Sequence, residues 1–146
     1  AYLAGLLDVE DAVVVSCASA GIAQSVAAVI VRGDPYRLEQ LHAHAHEVPS
    51  EIVLPKGHNV NFGAPVGTMV NLGGGKVVEA GYANECSPSQ LAAAINANTA
   101  AILYIKSHHC VQKSMLSVGQ AAVVARKHDL PLIVDAGQGA NWAEAH

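Results

Sequence analysis

Short runs of consecutive apolar residues alternate along the chain with longer segments whose apolar positions recur at helical spacing. Unbroken apolar runs are typical of strands that are buried on both faces of a parallel sheet. The sequence predicts such strands at residues 11–16, 51–54, 76–80, 99–105 and 130–135. Helices are predicted at residues 1–7, 22–31, 36–46, 66–72, 87–97 and 117–128. This alternation indicates an α/β fold, a three-layer sandwich with a largely parallel sheet, formed by residues 1–146 as a single domain.

Side chains that favour helix ends support several of these boundaries. Ser87 is a good N-cap because Pro88 follows at the first helical position and Gln90 at the third, which completes a capping box. Ser117 is expected to cap the last helix. The first long helix is expected to end before Gly33-Asp34-Pro35.

Composition excludes several classes of protein. The chain has 146 residues, of which 51% are hydrophobic and 14% charged, so we expect a compact core. Its net charge is −4 and its 8 Lys and Arg residues form no cluster, so no nucleic-acid partner is expected. No apolar run is long enough for a membrane span and no secretory signal opens the chain. Three widely spaced cysteines without a C-x-x-C pair favour reduced thiols and a cytoplasmic protein.

Polar loops follow the predicted strands at their carboxyl ends. Parallel strands with right-handed crossovers bring such loops to one edge of the sheet, where α/β proteins bind ligands. Asp135 ends an apolar run there, and a carboxylate at that place needs a partner: a helix N-terminus, a basic side chain or a cationic ring nitrogen. The four loops are Ser16–Gly21, Lys56–Gly63, Lys106–Lys113 and Asp135–Gly139.

Two of these loops suggest specific roles. Small residues at Ser16–Gly21 lead from a strand into a helix, an arrangement that can bind an anion, although a tight turn packed against a strand also explains it. In the second loop His58 could stack on a flat ring or transfer protons, or be an ordinary loop histidine. Lys56 and Asn61 lie in the same loop and are candidates for substrate binding.

Histidines leave a metal site open as an alternative. His42 and His46 share one face of a helix, with His44 between them and Glu47 beside them, but a solvated helix face explains them as well. A metal-dependent hydrolase would use His42 and His46, or His108 and His109, together with Asp135. We predict no metal site.

Three longer stretches resemble one group of enzymes. They are Ser-Cys-Ala-Ser-Ala-Gly-Ile-Ala at 16–23, Pro-Lys-Gly-His-Asn-Val-Asn-Phe-Gly-Ala-Pro at 55–65, and Ile-Lys-Ser-His-His-Cys at 105–110. They resemble the selenocysteine-synthase-related enzymes, which depend on pyridoxal 5'-phosphate (PLP) and have the aspartate-aminotransferase fold. The resemblance covers roughly residues 3–135, and residues 136–139 look closer to selenocysteine synthase than to an ammonia-lyase of this group.

The resemblance implies roles for individual residues. Ser19, Ala20 and Gly21 fall in the loop that holds the cofactor phosphate, and His58 falls in the loop that contributes a group near the ring. Asp135 falls on the carboxylate that pairs with the pyridine nitrogen. Lys106 and His108 fall in a loop near the substrate. The lysine that forms the Schiff base lies further downstream in the family, so none is assigned among Lys56, Lys76, Lys106, Lys113 and Lys127.

The activity implied is that of an ammonia-lyase that acts on a phosphorylated amino sugar acid. The α-proton is removed, the β-hydroxyl leaves, and the product loses ammonia to become a 2-keto acid. The resemblance also implies a homo-oligomer, a fragment of a longer protein, and inactivity of the 146 residues alone. Alternatives are a selenocysteine-synthase-like transferase and a non-catalytic α/β module that binds a phosphate.

Overall fold

The computed structural model describes residues 2–111 and 113–137, and strands and helices alternate along them as the sequence predicts. The helices are α1 (Tyr2–Leu7), α2 (Ala18–Val31), α3 (Pro35–His44), α4 (Val66–Leu72), α5 (Pro88–Ala93) and α6 (Val118–Lys127). The strands are β1 (Glu51–Pro55), β2 (Lys76–Ala80), β3 (Thr99–Ile105) and β4 (Leu132–Asp135). Short 3-10 helices follow α3 at Ala45–Glu47 and β1 at Lys56–His58.

The strands form a parallel sheet in the order β2-β1-β3-β4. Because every pairing is parallel, the carboxyl ends of the strands lie at one edge. Ile105 and Asp135 are directly paired at the ends of β3 and β4. The loops that follow these two strands therefore start side by side.

Helices cover both faces of the sheet, which confirms the three-layer α/β sandwich. One core joins α2 and α4 to the sheet through Ile22, Val26, Val70 and Leu103. The other joins α5 and α6 to the opposite face through Leu91, Ala121, Val124 and Ile102. All seven residues of β3 are buried, as its unbroken apolar sequence predicts.

The strand predicted at residues 11–16 is not formed. Residues 11–15 have no regular structure, and Val13 and Val14 are 80% and 77% exposed. A strand is stabilised by hydrogen bonds to a neighbouring strand, and no strand of the described residues pairs with this segment. The prediction of an N-terminal strand is therefore wrong for this structure.

β4 is also more exposed than its sequence suggests. The apolar run predicts a strand covered on both faces, but within the described residues β4 pairs only with β3 and lies at the sheet edge. None of its four residues is fully buried, and Val134 is 40% exposed. A run of apolar residues identifies the strand correctly but does not place it in the centre of the sheet.

The capping box predicted at Ser87 is present, and Ser117, predicted as an N-cap, also forms one. Ser87 accepts the Gln90 N–H while the Gln90 side chain accepts the Ser87 N–H, and Ser117 and Gln120 repeat the arrangement. α2 begins at Ala18, four residues earlier than predicted. No helix in the described residues combines the length and the apolar character needed to cross a membrane.

Three consecutive glycines, Gly73 to Gly75, let α4 and β2 approach α2 closely. We expect Gly73→Ala to lower the free energy of unfolding by about 1–3 kcal/mol, because overpacking forces neighbouring groups apart. A Cβ at Gly73 would collide with the Ala23 carbonyl oxygen and lie 2.8 Å from Val26 Cβ. Urea unfolding measures the difference.

Gly119→Ala is the matched control for this substitution. Gly119 lies in α6, and the nearest atom to its added Cβ, Ser117 Oγ, would be 3.8 Å away. Stability should stay the same or rise slightly, since alanine favours a helix. Equal stabilities for the two variants would show that α2 does not constrain Gly73.

Candidate active site

A cavity of about 220 Å³ lies at the carboxyl edge of the sheet, where the sequence predicts convergence. Its wall combines the start of α2 with residues from the segments that follow β1, β3 and β4. The lining residues are Cys17, Ala18, Ser19, Phe62, Lys106, Ser107, His109, Asp135 and Gly137. The predicted meeting of the four segments is therefore confirmed, although each contributes only some of its residues.

The N-terminus of α2 forms one wall. Ser19, Ala20 and Gly21 belong to its first turn and not to a loop, so the boundary predicted for this segment is corrected. The first N–H groups of a helix have no partner within it and point along the axis. Gly21 N–H already donates to the Cys17 carbonyl oxygen at 3.1 Å, which leaves the N–H groups before it for a ligand. Gly21 instead lines an adjoining cavity of about 260 Å³.

The exposed thiol of Cys17 lies at the N-terminus of α2, the positive end of the helix dipole. The Ala20 N–H, the Ser16 hydroxyl and the Ser19 N–H, in that order of effect, lower the pKa of this exposed thiol. The same groups that stabilise a thiolate also suit the oxygens of a phosphate. This observation supports the anion site that was predicted from the small residues.

Asp135 and Gly137 form the floor of the cavity. One carboxylate oxygen of Asp135 accepts the Gly137 N–H at 3.0 Å, which fixes the carboxylate. A Cβ at Gly137 would lie 2.9 Å from Ala18 Cβ and 3.1 Å from the Asp135 carboxylate. Glycine at this position therefore keeps open the space between the helix start and the carboxylate.

A stacked pair of rings stands across the cavity. Phe62 and His109 lie with centroids 5.3 Å apart and planes 9° apart. Phe62 comes from the segment after β1 and His109 from the segment after β3, so the stack joins two of the converging segments. The His109 N–H donates to Ser107 Oγ at 3.2 Å, which ties the turn on that side.

The structure places His58 outside the cavity lining, which corrects the expectation of a loop histidine near a ligand. The 3-10 helix at Lys56–His58 turns the ring inward, where it is fully buried. The Ile105 N–H donates to His58 Nδ1 at 3.3 Å, and the ring packs edge-on against Tyr104 with centroids 4.6 Å apart. Burial lowers the pKa of His58 to about 4, so the ring is neutral at pH 7.

Three of the predicted substrate-binding residues do not line the cavity. Lys56 forms an ion pair with Glu79 at 3.6 Å. The Asn61 side chain accepts the Gly63 N–H at 3.0 Å and so shapes its own turn. His108 packs against His109 with centroids 4.1 Å apart but stays outside the lining. Of the four candidates, Lys106 alone reaches the cavity wall.

A larger cavity of about 690 Å³ lies at the opposite, amino edge of the sheet. His42, His46 and Glu51 line it, but none of the residues to which the resemblance gives a role in catalysis or cofactor binding does. The described residues contain no group of three or more His, Cys, Asp or Glu side chains placed to hold a metal ion. Size alone therefore does not identify the functional cavity, and the metal-dependent hydrolase gains no support.

Sequence reasoning missed several residues of the wall, above all Phe62 and Gly137. Phe62 is the single phenylalanine of the chain and lies within a polar, glycine-containing stretch. A large aromatic side chain in such a loop is a feature by which the sequence indicates a ligand contact. His109 is a candidate from the sequence only as a metal ligand. Nothing in the sequence distinguishes it from His108, because the turn after β3 decides which ring faces the cavity.

Comparison with known proteins gives two relatives and no matching family model. D-glucosaminate-6-phosphate ammonia lyase of Salmonella typhimurium (strain 14028s / SGSC 2262) is 52% identical over 127 residues, which are 87% of this chain and 34% of that enzyme. 5'-C-glycyluridine monooxygenase-decarboxylase of a Streptomyces species is 40% identical over 141 residues, which are 94% of this chain and 35% of that protein.

Comparison with solved structures finds the same enzyme as the sequence comparison. A solved structure of D-glucosaminate-6-phosphate ammonia-lyase superimposes with a TM-score of 0.79 and 53% identity, over 83% of this chain and 32% of that one. The chain spans about one third of the length of the curated relatives it matches. The resemblance predicted from the three motifs is confirmed: the chain is a homologue of D-glucosaminate-6-phosphate ammonia lyase over about one third of that enzyme's length.

Proposed function

We propose that this chain is the cofactor-binding part of a PLP-dependent ammonia-lyase that acts on a phosphorylated amino sugar acid. The reaction converts the substrate into a 2-keto-3-deoxy acid phosphate and ammonia. The observation that carries the proposal is the cavity itself, which combines a helix N-terminus, a stacked ring pair and a fixed carboxylate. The similarity to an ammonia lyase of the same fold supports the choice of reaction.

The residues present fit the cofactor in three respects. The α2 N-terminus favours an anion, as the lowered pKa of the Cys17 thiol indicates. Gly137 leaves open a space that a Cβ would fill. Among the described residues, the second carboxylate oxygen of Asp135 has no hydrogen-bond donor, so it is available to a cationic ring nitrogen.

Each wall has a task in this proposal. N–H groups at Ser19 and Ala20 hold the phosphate, Asp135 keeps a proton on the ring nitrogen, and Phe62 with His109 limits the movement of a flat ring and excludes water. Lys106 brings a positive charge to the wall, which suits an anionic group of the substrate. When bound, PLP supplies the electron sink that stabilises negative charge at the substrate α-carbon.

The second relative supports a second candidate function. It is named a monooxygenase-decarboxylase, and it matches even more of this chain than the lyase does. An oxygenase consumes dioxygen and a decarboxylase releases carbon dioxide, whereas the proposed lyase needs neither. The cavity alone does not favour one reaction over the other, so the higher identity to the lyase decides the order of the two.

The test uses the complete gene product that contains this chain. The protein, with PLP added, is incubated with D-glucosaminate 6-phosphate under nitrogen, and ammonia and keto acid are measured. We expect both products in equal amounts without dioxygen. Release of carbon dioxide that depends on dioxygen would favour the monooxygenase-decarboxylase instead.

Two further results bear on the remaining alternatives. A visible absorbance band of bound PLP separates an enzyme from a module that binds phosphate alone, because inorganic phosphate gives no such band. A selenocysteine-synthase-like transferase would show the band but release no ammonia from the sugar acid. Ammonia release with no bound PLP would contradict the proposed cofactor.

A further inference from the structure

We propose that His58 is a positioning residue, which holds the carboxyl end of β3 and thereby places Lys106 and Ser107 at the cavity wall. The proposal rests on the proposed function for its relevance to a ligand, but the contact itself belongs to the described residues. It also gives His58 a different task from stacking on the cofactor or transferring protons.

The contact lies directly behind the wall. Ile105 is the last residue of β3, and its N–H donates to His58 Nδ1 at 3.3 Å. The next two residues, Lys106 and Ser107, line the cavity. On the other side, the Lys106 N–H donates to the Asp135 carbonyl oxygen at 2.8 Å. The end of β3 is thus held by β4 through one N–H group and by His58 through the preceding one.

This geometry fixes the tautomer of the ring. A nitrogen that accepts an N–H group carries no proton, so in the neutral ring the proton lies on Nε2. The low pKa of the buried ring agrees with a neutral form. Direct stacking on a ligand is incompatible with this placement, because the ring is fully buried and packs edge-on against Tyr104.

Packing alone does not favour a histidine at this position. Nε2 is buried and has no hydrogen-bond partner among the described residues, which is unfavourable for folding. An apolar side chain would avoid this unpaired donor. We therefore infer that the functional atom of the ring is Nδ1, which accepts the Ile105 N–H at the base of the cavity wall.

Two variants of the complete gene product separate the two ring nitrogens. In His58→Asn the amide oxygen can take the place of Nδ1, whereas in His58→Gln the amide group reaches the place of Nε2. We expect the dissociation constant of PLP, measured by visible absorbance, to rise by less than about 3-fold in His58→Asn and by roughly 10-fold in His58→Gln, the size expected for one lost hydrogen bond. The same ranking in kcat/KM, with similar melting temperatures, supports a positioning role.

The opposite ranking would overturn the proposal, because it would assign the role to Nε2. Affinities equal to that of the wild type in both variants would overturn it as well, and so would equal losses in both, which would indicate a purely structural ring. The wild-type protein gives an independent measurement if a variant does not fold. Nitrogen-15 NMR at pH 7 should show the proton of His58 on Nε2, and a proton on Nδ1 would contradict the proposed contact.

Failure of the proposed function would be recognised separately. If the complete gene product does not bind PLP, the cofactor assignment fails, but amide exchange at Ile105 still tests the contact. Exchange should be about 10-fold faster in His58→Gln than in His58→Asn, since only the latter keeps an acceptor. Equal exchange rates would overturn the positioning role whatever the ligand is.

Discussion

Replacing Asp135 with asparagine in the complete gene product is expected to lower kcat/KM for the phosphorylated amino sugar acid by roughly 10²-fold or more, since the ring nitrogen of PLP loses the carboxylate that would keep it protonated. Asp135 lies at the floor of the cavity, and its carboxylate is already fixed by the Gly137 N–H at 3.0 Å. An amide can still accept that N–H group, so the floor should keep its shape. The negative charge is what the variant removes.

Absorbance and kinetics together measure this effect. We expect the visible band of bound PLP to shift and kcat to fall more than KM rises, because the carboxylate acts on the electronic state of the ring more than on substrate binding. An unchanged band together with wild-type kcat would show that Asp135 does not face the ring nitrogen.

Asp129→Asn is the matched control. Asp129 precedes β4 at the opposite edge of the sheet, and its φ of 53° lies in the left-handed region that asparagine tolerates well. The substitution makes the same change of charge at the other end of the same strand. Wild-type activity in this control would show that the lower kcat/KM of Asp135→Asn results from the change in the cavity and not from the change in net charge.

The sequence predicts the elements of this fold well because each carries a strong local signal. The capping boxes at Ser87 and Ser117 and the apolar run of β3 are examples, and all three are present in the structure. The segment at residues 11–15 failed because a strand depends on a neighbour as well as on its own sequence. Val13 and Val14 have the right side chains, but no strand of the described residues lies beside them.

The candidate site also contains both correct and incorrect predictions from the sequence. Asp135, Ser19 and Lys106 reach the cavity because the ends of parallel strands and the helix that starts beside them converge by topology alone. His58 does not, since a single turn of 3-10 helix after β1 directs its ring into the core. Lys56 pairs with Glu79 instead, and Asn61 accepts an N–H group of its own turn. Local turns of this kind depend on packing that the sequence pattern does not show. The segment at residues 138–139, also predicted at this edge, lies outside the described residues.

The buried ring of His58 should make stability depend on pH in a defined window. Its pKa is lowered from 6.5 to about 4 by burial, so between these values the unfolded chain binds a proton that the folded chain does not. The neutral ring of His58 makes its full contribution to the free energy of unfolding above pH 6.5. This contribution decreases as the pH falls and is lost below about pH 4. A shift of this size corresponds to roughly 3 kcal/mol of unfolding free energy.

We compare the urea unfolding of wild type and His58→Gln from about pH 7.5 to about pH 4, a range that includes both pKa values. The comparison separates the pH dependence caused by His58 from that caused by the carboxyl groups. The variant lacks the ring but keeps a side chain of similar length, so the difference between the two profiles reports His58 alone. We expect wild type to lose more stability than the variant below pH 6.5, with the two profiles parallel above it. Profiles that stay parallel throughout would mean that the folded protein binds the proton as readily as the unfolded chain, which would contradict the lowered pKa of the buried His58 ring.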